Sequence, residues 1–153
     1  MHCGATYIIP QKSVEILLVD DNPGDVLLTR ELLSETKVSN HVNVALSGMT
    51  ALQFLRKEEP YESAPSPDLV LLDINMPVMS GLEMLKEMRS DPRLKSLPVI
   101  VLTSSDAEED ISKCYELHAN SYVVKPGELD QFYKIIQSID DFWLTMARFP
   151  HRA

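Results

Sequence analysis

Four short apolar runs in this sequence each stop at a residue that can do chemistry. Val14-Glu-Ile-Leu-Leu-Val19 is followed by Asp20 and Asp21, Leu69-Val-Leu-Leu72 by Asp73, Pro98-Val-Ile-Val-Leu102 by Thr103, and Ser121-Tyr-Val-Val124 by Lys125. Grouped carboxylates repel one another and suit a hard divalent cation, and Mg²⁺ takes one or two carboxylates together with waters and phosphate oxygens. A cation beside Asp73 would ease the approach of an anionic phosphoryl group and steady the charge that spreads over its equatorial oxygens. Thr103 can donate a hydrogen bond to one of those oxygens, and Lys125 can pair with another as a point charge. Each residue also has an ordinary reading: the acidic pair and Thr103 as helix caps, Asp73 as the start of a turn, Lys125 as a counter-ion. Their joint appearance at four strand ends is what points to a single site.

The elements that must position these residues read clearly. Leu69 to Leu72 shows no alternation, so as a strand it is covered on both faces, as at the centre of a parallel sheet. Strands are expected at Val14–Val19, 42–46, 69–72, 98–102 and 121–124, and helices at about 24–35, from Ser47-Gly48, at 81–90, from about Ala107, and at about 128–146. Asn22-Pro23 suits a helix start, whereas Lys57 to Pro67, with three prolines in eleven residues, can only be a loop. Five strands alternating with five helices imply an α/β fold, a doubly wound five-stranded parallel sheet. All strands then point one way, and Asp20, Asp21, Asp73, Thr103 and Lys125 fall on one rim. Residues 1–13 read as an N-terminal extension, 14–146 as the domain and 147–153 as a C-terminal tail.

Composition narrows the function. A formal charge of −9 and a pI near 4.8 argue against a phosphate backbone as partner, so no nucleic acid is expected. No apolar run approaches the roughly 20 residues that span a bilayer, and the N-terminus has no signal-peptide character, so neither a membrane partner nor an address outside the cytoplasm is expected. Cys3 and Cys114 form no disulfide framework, and the four scattered histidines show no zinc-ligand spacing.

Asp20-Asp21, Asp73, Thr103 and Lys125-Pro126, at the ends of the first, third, fourth and fifth strands, resemble the receiver domain of two-component response regulators, with its flavodoxin-like (βα)5 fold. The resemblance implies that Asp73 is the phosphoacceptor. Asp20, Asp21, Asp73 and the Asn75 backbone carbonyl would hold Mg²⁺, while Thr103 and Lys125 bind the phosphoryl group. It also implies a cis bond before Pro126 and a switch in which Thr103 moves to the phosphoryl group and Tyr122 fills the vacated space, reshaping the fourth-helix, fifth-strand and fifth-helix surface. Ala64-Pro-Ser-Pro-Asp68, Asp91-Pro-Arg-Leu-Lys-Ser-Leu-Pro98 and Phe142-Trp-Leu-Thr-Met-Ala-Arg-Phe-Pro150 are similar to the single-domain regulators of cyanobacterial and bacterial phytochromes. That likeness implies a phytochrome-type sensor histidine kinase as partner. Two positions depart from the family pattern, His118 where many receivers carry Gly and Gly127 where many carry an apolar residue.

A phosphatase of the haloacid-dehalogenase type would also form an aspartyl phosphate beside Mg²⁺, but it needs an acid-base Asp two residues past the nucleophile. Asn75 stands there and cannot act as a general acid. A receiver that had lost its chemistry would be expected to lack Asp73, Lys125 or the acidic pair. The last helix carries a wider apolar arc than one sheet requires. Leu129, Phe132, Ile136, Ile139 and Trp143 are assigned to the core, and Ile135, Phe142 and Met146 to a flank expected to pair two copies as a homodimer.

Overall fold

Leu69–Leu72 (β3) is buried at every residue, as its unbroken apolar run demands, and it lies at the middle of a parallel sheet. A computed structural model of the chain describes residues 13–146. Residues 1–12 and 147–153 lie outside it, and with them the expected tail and all but the last residue of the extension. The sheet order is β2-β1-β3-β4-β5, with β1 at Val14–Val19, β2 at Asn40–Ala45, β4 at Val99–Thr103 and β5 at Ser121–Val124. Alternate strand residues feed two cores. Leu17, Val19, Val70, Leu72, Val99 and Val101 pack with α2 (Gly48–Arg56), α3 (Gly81–Ser90) and Cys114 of α4 (Glu108–Glu116). Ile16, Leu18, Leu69, Leu71, Ile100 and Leu102 pack with α1 (Pro23–Ser34) and α5 (Leu129–Ile139). The expected doubly wound fold is what the chain adopts.

Local chemistry explains the joints. Asn22 caps α1 by accepting the Asp25 N–H, Pro23 opens the helix, and Ser80 with Glu83 forms a capping box on α3. His118 ends α4 with φ of 60°, and Ala119 N–H returns to the Cys114 carbonyl, so the chain enters the left-handed region there with a histidine in place of glycine. Strand β2 begins two residues before the expected position and omits Leu46, because an edge strand covered on one side gives a weaker apolar signal than a central one.

The last helix differs from its expected form. It is α-helical only to Ile139, and Asp140–Met146 continues as a wider π-helical segment. Asp140 is fully buried, and its carboxylate accepts the Lys37 and Val38 N–H groups at 3.3 and 3.2 Å, tying this turn to the connection between α1 and β2. The wider turn starts only at Asp140, so it leaves the faces of Leu129–Ile139 unchanged. Phe132, Ile136 and Ile139 are core as expected, and Ile135 and Trp143 pack partly against that core. Leu129, assigned to the core, is instead 58 % exposed. Phe142 is 55 % exposed and rests edge-on against Trp143, while the Met146 side chain lies outside the described ones.

Arg89 locks the far side of the sheet. Its guanidinium donates to four carbonyls, those of Leu117, Lys95, Leu97 and His118 at 2.8 to 3.1 Å, and burial lowers its pKa. A lysine cannot reproduce that planar fork. Arg89→Lys is expected to lower unfolding free energy by about 2 kcal/mol in urea titrations, because most of the four carbonyls lose their charged donor at once.

Candidate functional site

The rim residues are held by the sheet's own hydrogen bonds. Asp20 N–H bonds the Ala45 carbonyl at 3.2 Å, Asp73 N–H the Val19 carbonyl at 2.9 Å, and Lys125 N–H the Thr103 carbonyl at 2.7 Å. Each ladder runs one residue beyond the strand, so the functional side chains inherit the rigidity of the sheet. Gly81 fixes the loop after Asp73: a Cβ there would lie 2.6 Å from the Asp73 carbonyl oxygen and from Ile74 Cα, so only glycine lets α3 approach this closely. In the same loop Val78 has φ of 67°, a strained conformation for a β-branched residue and one that tends to occur beside functional groups.

Asp73, Asp20, Thr103 and Lys125 are brought into one network. Asp73 Oδ1 accepts the Asn75 N–H at 2.9 Å and the Thr103 hydroxyl at 2.8 Å, and Oδ2 accepts Lys125 Nζ at 3.1 Å. Asp20 Oδ2 accepts Lys125 Nζ at 2.7 Å, and its Oδ1 accepts the Asn22 N–H. Burial alone would lower the Lys125 pKa, but the bond to Asp20 and the charges of Asp73 and Asp20 outweigh it and raise the pKa. Asp20 is raised because burial outweighs its bond to Lys125. One ammonium shared among several carboxylates stays charged, and it leaves the site with surplus negative charge.

Asp21 is half-buried and makes no hydrogen bond or ion pair with the described residues, and the exposed Asn75 carbonyl accepts none from them. These donors are hard oxygens, the chemistry Mg²⁺ selects. As the side chains stand, no three acidic, His or Cys groups among the described residues converge at metal-binding spacing. The Lys125 ammonium bridges Asp20 and Asp73, at 2.7 and 3.1 Å.

Tyr122 is half-buried against the core, and its hydroxyl donates to the Ser105 carbonyl at 2.8 Å in the connection after β4. The expected cis bond before Pro126 is not found. Lys125–Pro126 is trans, and the cis bond among the described residues is Glu59–Pro60. The two isomers of an X–Pro bond differ by only about 0.5–1 kcal/mol, too little for a local motif to decide.

Sequence reasoning missed Asp25, whose Oδ2 lies 3.0 Å from Lys125 Nζ. An acid in a first helical turn reads as a partner of the helix dipole, and nothing in its spacing reveals a contact 100 residues away. Asp25, Leu28, Ser104, Lys125, Leu129 and Phe132 help line a cavity of about 420 Å³ between α1 and the start of α5.

Comparison with known proteins decides the family. The sequence profile of the response regulator receiver domain matches residues 16–137. The chain belongs to that family. Response regulator Rcp1 of Synechocystis is 39% identical over 135 residues, a match covering 88% of this chain and 92% of that protein. The crystal structure of the phosphorylated cyanobacterial phytochrome response regulator RcpA superposes with a TM-score of 0.88 at 42% identity, over 92% of this chain and all of that one. The Mn²⁺-bound form of Rcp1 superposes with a TM-score of 0.86 at 38% identity, over 90% of this chain and 99% of that one. The chain is therefore a two-component signalling protein with a receiver fold, similar to phytochrome response regulators. Among the described residues no helix is long and apolar enough to cross a membrane.

Proposed function

We propose that this receiver accepts a phosphoryl group on Asp73 from a phosphohistidine of a phytochrome-type sensor kinase in the cytoplasm. The observation that carries the reading is the Asp73 carboxylate, nearly buried yet met on both oxygens by donors from the ends of other strands. An Asp73 oxygen attacks phosphorus, forming an O–P bond as the P–N bond to imidazole breaks. Asp20, Asp21, Asp73 and the Asn75 carbonyl would hold Mg²⁺. The bound cation would offset the repulsion between carboxylate and phosphoryl group. Thr103 Oγ1, already 2.8 Å from Asp73, donates to a phosphoryl oxygen, and Lys125 pairs with another. Similarity to the phosphorylated RcpA and Mn²⁺-bound Rcp1 structures supports this assignment. Labelling by a cognate kinase should occur with Mg²⁺ and fail in EDTA; equal labelling in both overturns the role of the metal.

Output follows from the same atoms. As Thr103 turns to the phosphoryl group, Tyr122 settles into the space beside it, and its bond to Ser105 steadies the connection into α4. Structures with and without a phosphoryl mimic should differ at Thr103 and Tyr122, and identical positions contradict the coupling.

The signal is passed through protein contact, with a homodimer formed on the last helix. Phe142 supports this, being a large apolar side chain directed to water. Ile135 contributes only the part not packed on the core, and the Met146 side chain is assigned to the interface from sequence alone. Phe142→Glu is expected to shift sedimentation from dimer to monomer, with a dissociation constant raised by at least about tenfold. A monomeric wild type, or a dimer indifferent to the charge, removes this part of the proposal.

A further inference from the structure

Asp25 departs from the usual behaviour of an acid in a first helical turn. Its backbone is fixed by the Asn22 cap, and its side chain, 39 % exposed, reaches across the rim to Lys125 rather than standing in water. The Lys125 ammonium has three N–H donors, and three carboxylates share them: Asp20 at 2.7 Å, Asp25 at 3.0 Å and Asp73 at 3.1 Å. Asp20 and Asp73 are the two that the proposed function assigns to the divalent cation. Asp25 is not, and it lines the same cavity as Lys125, so the ammonium touches the two assigned metal ligands and one carboxylate on the cavity side.

The geometry points to Asp25 as a positioning residue that keeps Lys125 paired on the cavity side when a divalent cation engages Asp20 and Asp73. This rests on the metal assignment of the proposed function. A divalent cation on Asp20 and Asp73 competes with the ammonium for the same negative charge, so the ammonium's hold on those two carboxylates weakens. Its side chain is only 7 % exposed, and a lysine without a partner at that depth is strongly disfavoured. Asp25 offers a partner already in contact. Its removal costs the ammonium one of three carboxylates before the metal binds, but the remaining uncommitted one afterwards. Asp25 therefore raises divalent affinity by acting through Lys125, and it holds the ammonium within reach of a phosphoryl group on Asp73.

Titrating the full chain with Mn²⁺ and following the free ion by electron paramagnetic resonance tests this without reference to activity. Asp25→Asn is expected to weaken Mn²⁺ binding by about fivefold, and Asp25→Glu, which restores the charge, to return it to within about twofold of wild type. In a Lys125→Met background the same Asp25→Asn change is expected to alter affinity by less than about twofold, since the partner through which it acts is gone. Unchanged affinity in Asp25→Asn overturns the inference. So does an equal loss with and without Lys125, which would make Asp25 a distant charge rather than a positioning group. Absence of Mn²⁺ binding by the wild type would instead overturn the metal assignment on which the inference stands.

Discussion

Asp73→Asn is expected to reduce phosphoryl incorporation by at least about a hundredfold, with the protein still folded, because a neutral amide is a poor nucleophile where a carboxylate is required. The environment of Asp73 sharpens this expectation. Its two oxygens meet the Asn75 N–H, the Thr103 hydroxyl and the Lys125 ammonium, all three of them donors. An asparagine has one acceptor oxygen, so its NH₂ must face a donor whichever way it turns. The substitution therefore removes the attacking group and also disturbs the partners that would receive the phosphoryl oxygens. Fold retention is checked by circular dichroism, and labelling with radioactive phosphate reads the loss. Undiminished labelling would move the phosphoacceptor elsewhere.

The second large effect is expected from Lys125→Met. The methionine keeps most of the side chain's length while deleting the charge that Asp20, Asp25 and Asp73 share. Without it, Asp20 and Asp73 face each other nearly buried and without a cation. Breaking a buried ion pair on one side typically costs 3–5 kcal/mol; relief through protonation and the partial exposure of Asp25 reduce the expected loss to about 3 kcal/mol in EDTA. Millimolar Mg²⁺ should recover most of that loss, because a divalent cation supplies the missing charge to the same oxygens. Urea unfolding in EDTA and in Mg²⁺ gives both values. Equal stability in the two buffers would show that Mg²⁺ does not reach these carboxylates. Phosphoryl incorporation should fall in this variant even when Mg²⁺ restores the fold.

Much of the site was legible because its residues stand at the ends of parallel strands, where sequence position translates directly into spatial position. Asp20, Asp73, Thr103 and Lys125 fall together by sequence position alone, since a run such as Leu69–Leu72 fixes where the strand stops. Asp25 was not legible in this way. It lies on a helix, where a first-turn acid has an ordinary explanation, and its contact depends on the reach of a lysine from the far strand. The last helix misled for a different reason. Its apolar pattern is real, but Leu129 stands exposed in the first turn of α5 and Ile135 packs partly on the core, so the arc does not divide between core and flank by spacing alone. The trans bond before Pro126 was hidden because family resemblance implied the opposite isomer and local energetics favour neither strongly.

The central claim is that the phosphoryl group is carried by Asp73 as an acyl phosphate. Phosphorylating the protein in Mg²⁺ with a small acyl phosphate, reducing it with borohydride and mapping the digest by mass spectrometry tests that claim directly, since reduction converts an acyl-phosphorylated aspartate to homoserine. Homoserine is expected at position 73, with Asp20 and Asp21 unaltered. Homoserine at either of those positions, or an intact Asp73 in protein that has incorporated phosphate, would contradict it.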